Sequence, residues 1–140
     1  VFPFDLRLSL IKSKVYSKLY SAKALGKSDA DLLKTIRELD DSLEEWRLSV
    51  FPDRRPPMSS KAETFDYDVS IRSVMLHLNY CLCIIAIHQA SIQCKASAKG
   101  HTMEGGLTSS LALSVEVSRS TLAYLKRAER ILVGWAFWYG

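Results

Sequence analysis

Leu8, Ile11, Val15, Leu19 and Ala22 recur at steps of three and four along residues 5–25, the spacing that lines one face of an α-helix. Gly26 is placed to stop that helix, because glycine accepts a left-handed backbone without a Cβ clash. Ser28, with Asp31 three residues on, predicts a capped start for a second helix. Its apolar stripe is Leu32, Ile36, Leu39, Leu43, Trp46 and Val50, and Pro52 closes it. The link at Gly26–Lys27 is so short that the two helices must return side by side. Residues 5–50 therefore predict an αα-hairpin.

The pattern then breaks. Residues 51–66 hold three prolines, two adjacent arginines and little period, which reads as an extended crossover or surface linker. Residues 67–97 predict the longest helix, apolar nearly all round and hence the central buried one. His77, Asn79, His88, Gln89 and Gln93 interrupt it too often for a membrane span of about 20 apolar residues. Residues 98–108 carry three glycines without period and predict a mobile loop. A last helix is expected over 109–138, through Leu113, Val117, Thr121, Tyr124, Leu125, Ala128 and Leu132, with Gly134 as a potential break. No stretch alternates like a strand. The expected fold is all-α: an irregular bundle of about four main helices, with an N-terminal hairpin and a long central buried helix.

Composition fits that picture. The chain of 140 residues suits one domain. With 48% hydrophobic and 24% charged residues, 6 Gly, 4 Pro and 3 Cys, it is neither disordered, nor collagen-like, nor a disulfide scaffold. The net charge of +4 invites a nucleic-acid reading, but its layout argues against one. Residues 5–27 carry six basic side chains against Asp5, whereas residues 28–46 carry seven acidic ones against Lys34 and Arg37. In a hairpin a basic rim then faces an acidic rim, and the free basic stripe that phosphate binding needs is missing.

No signal peptide is visible, since charges interrupt the first apolar positions too soon. The chain has no initiator Met and stops inside an apolar run, so it reads as a piece of something longer. Cys81, Cys83 and Cys94 fall in one expected helix. At 1.5 Å rise per residue, Cys83 and Cys94 are roughly 16 Å apart, and Cys81 and Cys83 point about 200° apart. No intrachain disulfide can form on this reading, which suits a reducing nucleus or cytosol.

His77, Cys81 and His88 lie within about 40° on one helical face. His77 and Cys81, one turn apart, can share a metal or form a thiol–base pair. His88, roughly 16 Å further along, is out of reach for ligand bonds of about 2.0–2.3 Å. No further ligand pair, oxyanion loop or orienting carboxylate completes either constellation. Asp40–Asp41 and Glu44–Glu45 read as a solvated helix surface rather than a carboxylate pair across a cleft. Metal, cofactor and catalytic residues are therefore all expected to be absent. Two classes of function remain beside the leading one: a metal-binding or small enzyme domain on His77, Cys81 and His88, and an architectural dimerisation module. The C-terminal Trp135, Phe137 and Trp138 are too aromatic to be left in water. They are candidates for partner contact or for packing on the core.

Three ordered stretches resemble the middle homology region of fungal zinc binuclear-cluster transcription factors. Leu6-Arg7-Leu8-Ser9, followed by Ile11 through Ser21, is similar to that family's arginine–leucine pair and basic helix. Leu33, Ile36, Leu39-Asp40, Leu43 and Trp46, closing at Phe51-Pro52, are similar to its leucine–aspartate, leucine, tryptophan and proline helix. Leu76-His77, Tyr80 and His88-Gln89 are similar to its histidine–tyrosine helix, and Ser118-Arg119-Ser120-Thr121 to the serine-rich turn of the next. Cys81 departs from the pattern, standing where the family often has a histidine, and Gln89-Ala90 replace a frequent arginine–proline pair.

The resemblance implies a non-catalytic, nuclear regulatory domain that restrains an activator and responds to metabolites. Its implied partners are other regions of the same factor, co-regulators and a second copy of itself, without direct DNA or membrane contact. Zinc is expected only in a six-cysteine DNA-binding domain absent from this chain. His77, Tyr80, Cys81 and His88 are its candidate effector-binding residues. The mechanism expected is a packing switch, in which polar side chains of the buried helix exchange internal partners for a ligand, with a coupling of about 1–3 kcal/mol.

Overall fold

A computed structural model describes residues 5–57, 70–94 and 104–139, with the side chains of the last stretch described over 108–134. The first helix, α1 (Leu6–Leu19), starts where Asp5 accepts the backbone N–H groups of Arg7 and Leu8. It buries Leu8, Ile11, Val15 and Leu19. It stops well short of Gly26, for two physical reasons. The Ser21 hydroxyl bonds the Ser17 carbonyl and accepts the Ala24 N–H, offering the backbone a turn instead of another helical bond. The Leu19 carbonyl, orphaned at the helix end, is met by the side-chain amide of Gln93 at 3.1 Å. A 3₁₀ turn over Ala24–Gly26 then leads to Ser28.

Helix α2 (Asp29–Ser49) opens as the spacing predicts. Ser28 Oγ accepts the Asp31 N–H at 3.2 Å and donates to the Asp31 carboxylate at 2.7 Å. Leu32, Ile36, Leu39, Leu43, Trp46 and Val50 are all buried. The contact of α1 with α2 is largely apolar, and Lys27 staples it by donating to the Lys18 carbonyl and the Thr35 hydroxyl. Among the described residues the lysine and arginine ion pairs of α2 lie within the helix, Lys34–Glu38 at 3.9 Å and Arg47–Glu44 at 2.7 Å. After α2 the chain turns at Pro52–Arg54. The remainder of the expected linker, from residue 58, lies outside the described residues.

Helix α3 (Ile71–Gln89) touches α1, α2 and the last helix, α4 (Glu104–Tyr139). Its buried positions include Val74, His77, Cys81, Ile84 and His88 on one line and Tyr80, Cys83 and Ile87 on a second. Two buried lines make it the core helix. The segment Ile71–Gln93 is long and apolar enough to cross a membrane by length and composition. Packing on three helices accounts for that composition without a bilayer. Leu82, 49% exposed, marks the side left in water.

Three expectations for this half of the chain are corrected. First, α3 is not the longest helix, because it gives way to a 3₁₀ turn at Ala90–Gln93, where Ser91 bonds the His88 carbonyl. Cys94 therefore lies beyond the helix, in extended backbone. Second, α4 begins at Glu104, inside the expected loop, and at 36 residues is the longest element. Third, it runs through Gly134 without a break. Glycine costs only about 1 kcal/mol in a helix, and so long a helix carries that penalty. The residues 95–103 lie outside those described. Among the described residues every regular element is a helix, so the fold is all-α.

Candidate functional site

Of the polar side chains of α3 that the sequence singles out, His77, Tyr80 and His88 meet neighbours inside the bundle, while Gln89 is exposed. His77 Nε2 is 3.5 Å from Cys81 Sγ, and the imidazole stacks on Tyr124 of α4 with centroids 4.0 Å apart. Burial, helped by the Arg127 charge, depresses the His77 pKa from 6.5 to about 4, so the ring is neutral at pH 7. Burial raises the pKa of the Cys81 thiol, against a weaker opposing effect of the Thr121 hydroxyl. A neutral imidazole beside a protonated thiol is the reverse of an activated nucleophile. Among the described residues no group of three or more His, Cys, Asp or Glu side chains is placed to hold a metal.

Tyr80 lies against Trp46 of α2, ring centroids 6.0 Å apart and nearly parallel. Burial chiefly drives its hydroxyl pKa up to about 12. Asn79 donates to the Met75 carbonyl one turn back. The three cysteines are unbridged and buried. Trp135, Phe137 and Trp138 belong to α4, but their side chains lie outside the described residues.

His88 makes a connection that sequence spacing does not reveal. Its Nε2 is 3.2 Å from Asp40 Oδ1 on α2, and its Nδ1 is 3.2 Å from Ser110 Oγ on α4. One imidazole thus ties three helices together. A carboxylate accepts, so the ring N–H that faces Asp40 donates to it, while the second ring nitrogen meets the serine hydroxyl. The residue types are those of an acyl-transfer relay, but the setting is not. Ser110 sits inside α4, whose backbone N–H groups are committed to the helix ladder rather than free to form an oxyanion hole. The arrangement is a clamp. His88→Ala is expected to cost about 2 kcal/mol, from the buried ring and two lost hydrogen bonds. A double-mutant cycle with Asp40→Ala, read by urea unfolding, should give a coupling near 1 kcal/mol, reduced because Asp40 is half exposed. Strictly additive losses would mean that the bridge contributes nothing.

The α4 side of the interface departs from the expected apolar stripe at one end. Ser110, Ser114, Val117, Thr121, Tyr124, Ala128 and Ile131 are buried or half-buried, at alternating steps of four and three, and Leu125 and Leu132 of the expected stripe are half-buried beside them. Leu113, by contrast, is substantially exposed. Ser114, Ser118 and Thr121 each return their hydroxyl to a carbonyl three or four residues back, so burying them leaves no unsatisfied donor. Small side chains let α3 and α4 approach closely.

The described cavity of interest lies elsewhere, at the end of the bundle where α1 and α3 begin and α2 ends. It encloses about 570 Å³. Arg7, Arg54 and Arg72 line it beside Phe51, Leu76 and Asp5. None of the four candidate effector residues of α3 borders it.

No family model matches the chain, and no solved structure matches it. It is similar, at 45% identity over 86 residues, to an ABC-transporter-regulating transcription factor of Aspergillus oryzae. It is 44% identical over 86 residues to a protein of the same description from Aspergillus fumigatus. Each match takes in 61% of this chain but 9% of the relative's length, so the chain spans about a tenth of the regulators it resembles.

Proposed function

We propose that this chain is a non-catalytic regulatory segment of a fungal transcription factor that controls ABC-transporter genes, equivalent to part of a middle homology region. The observation that carries the reading is its similarity to two Aspergillus regulators bearing that description. The all-α fold agrees with it, and so do the contacts that the imidazoles of the core helix make with Cys81, Tyr124 and Asp40.

In this role the segment acts in the nucleus, through other regions of the same factor, co-regulators or a second copy, and without touching DNA itself. Exposed Leu6 and Leu10 on α1 and Leu122 and Val133 on α4 supply apolar surface for such contacts. In this reading output changes when a partner or ligand favours one packing of the bundle over another. The test is made in the full-length factor that contains the segment. Leu43→Asp, which puts a charge into the core, should alter reporter output at matched protein level while promoter occupancy stays the same. Unchanged output with the segment unfolded would overturn the reading.

A further inference from the structure

The cavity at the end of the bundle has a one-sided charge. Among the described residues three guanidiniums, from Arg7, Arg54 and Arg72, line it against one carboxylate, Asp5. That carboxylate is already engaged. It accepts the backbone N–H groups of Arg7 and Leu8 and pairs with the Arg7 guanidinium at 3.3 Å. It also gains from the indole N–H of Trp46, which is buried and has no well-formed hydrogen bond of its own. The carbonyl end of α2, which would otherwise repel an anion, is covered as well. Arg55 donates to the carbonyls of Leu48 and Val50, and Ser49 Oγ to that of Trp46.

The remaining cations are underused. Arg54 has a loose contact of 3.7 Å with Asp53, both largely in water. Arg72 has no ion pair or hydrogen bond among the described residues. The beginning of α3 reaches the same space, adding the positive end of its helix dipole to the guanidiniums, whereas that of α1 is already met by Asp5. Val50, Phe51 and Leu76 supply its apolar lining, and Phe51 is 77% exposed. The volume is that of a small-molecule site.

We propose that this cavity is the binding site of a small organic anion, whose carboxylate or phosphate is held by Arg54 and Arg72 and whose apolar body lies on Phe51 and Leu76. Guanidinium forks match both oxyanions in two-point geometry. The assignment rests on the regulatory reading for its purpose, as the place where an effector acts, but not for its chemistry. It moves the expected effector site away from His77, Tyr80, Cys81 and His88, which are occupied with one another and with α2 and α4. A ligand here bridges the start of α1, the end of α2 and the start of α3, and so favours one packing of these three helices.

The test titrates the full 140-residue chain with benzoate and with phenyl phosphate at constant ionic strength, following calorimetric heat and melting temperature. Inorganic phosphate and chloride serve as controls for charge alone. Saturable binding of at least one aromatic anion, tighter than that of inorganic phosphate, is expected, and whichever of the two binds better names the oxyanion. The double variant Arg54→Gln/Arg72→Gln, with an unchanged circular-dichroism spectrum, should bind at least about tenfold more weakly, the value of one charged hydrogen bond. Arg130→Gln, on the exposed surface of α4, should bind as the parent does. No saturation by either aromatic anion, or an equal loss in Arg130→Gln, would overturn the proposal. Such a result leaves the regulatory reading standing, whereas unaltered reporter output with Leu43→Asp overturns that reading and leaves the binding result untouched.

Discussion

Leu43→Ala is expected to destabilise the protein by about 3–5 kcal/mol, the upper part of the range for truncating a buried leucine. Leu43 is 1% exposed, in the middle of α2, and belongs to the cluster that joins α1, α2 and α3. Its neighbours cannot collapse into the space, because Leu39 and Trp46 are themselves fixed in the same cluster. A loss of that size is a large fraction of the ~5–15 kcal/mol by which a domain is stable. Urea unfolding of parent and variant, with a common slope, measures it. A loss under 1 kcal/mol would show that α2 does not pack on α1 and α3 as described. Leu48→Ala, one turn beyond and half in water, serves as the contrasting case and should change little.

The second large effect is a dependence of stability on pH that arises from His77. In the folded chain burial, with the Arg127 charge, holds its pKa at about 4, against 6.5 when unfolded. Above pH 6.5 the ring is neutral in both states and contributes no pH dependence. Between 6.5 and 4 the unfolded chain takes up a proton that the folded chain refuses, so stability falls as the pH drops. The interval corresponds to roughly 3 kcal/mol, most of it lost by pH 4. Tyr124 and Cys81 face the ring and stay protonated throughout, since burial raises both of their pKa values. Asp5 and Glu44 are held below their ordinary values, so their own contribution is lost at the acid end of the range. The difference between parent and His77→Phe isolates the histidine, because phenylalanine can keep the stack on Tyr124 while it cannot titrate. Urea unfolding from pH 8 to pH 4 should show the two stabilities running parallel above pH 7 and diverging below. Curves that stay parallel over the whole range would mean that His77 is not buried in the folded chain.

The helices that obey one periodic signal were legible in the sequence. Each stripe residue of α2 is buried, and Ser28 caps it as its spacing predicts. The ends of helices were less legible, because contacts made elsewhere in the fold decide them. Gln93 reaching the Leu19 carbonyl stops α1 from 74 positions away, and no local pattern announces that. The seam of α4 was largely legible. Val117, Thr121, Tyr124, Leu125, Ala128 and Leu132 of the expected stripe are buried or half-buried, whereas Leu113 is exposed and Ser114, satisfied on its own helix, is buried in its place. A heptad-like run of small residues from Ser110 to Ala128 is the signal that would have found it. The imidazoles of α3 are in the interior, as expected, but the partners of His88, Asp40 and Ser110, lie 48 and 22 positions away. The arginines of the end cavity come from three separate stretches that only the folded chain brings together.

Helix α4, at about 1.5 Å per residue, is roughly 54 Å long, while α3 alongside it is about half that. A rod so much longer than its cradle behaves as a lever. Its pivot is the small-residue seam, where the His88 clamp and the ring stack on Tyr124 grip it. By geometry alone, a rotation about that seam displaces the distant turns of α4 further than those at the fulcrum, so what loosens a single side chain there is felt most at a distance.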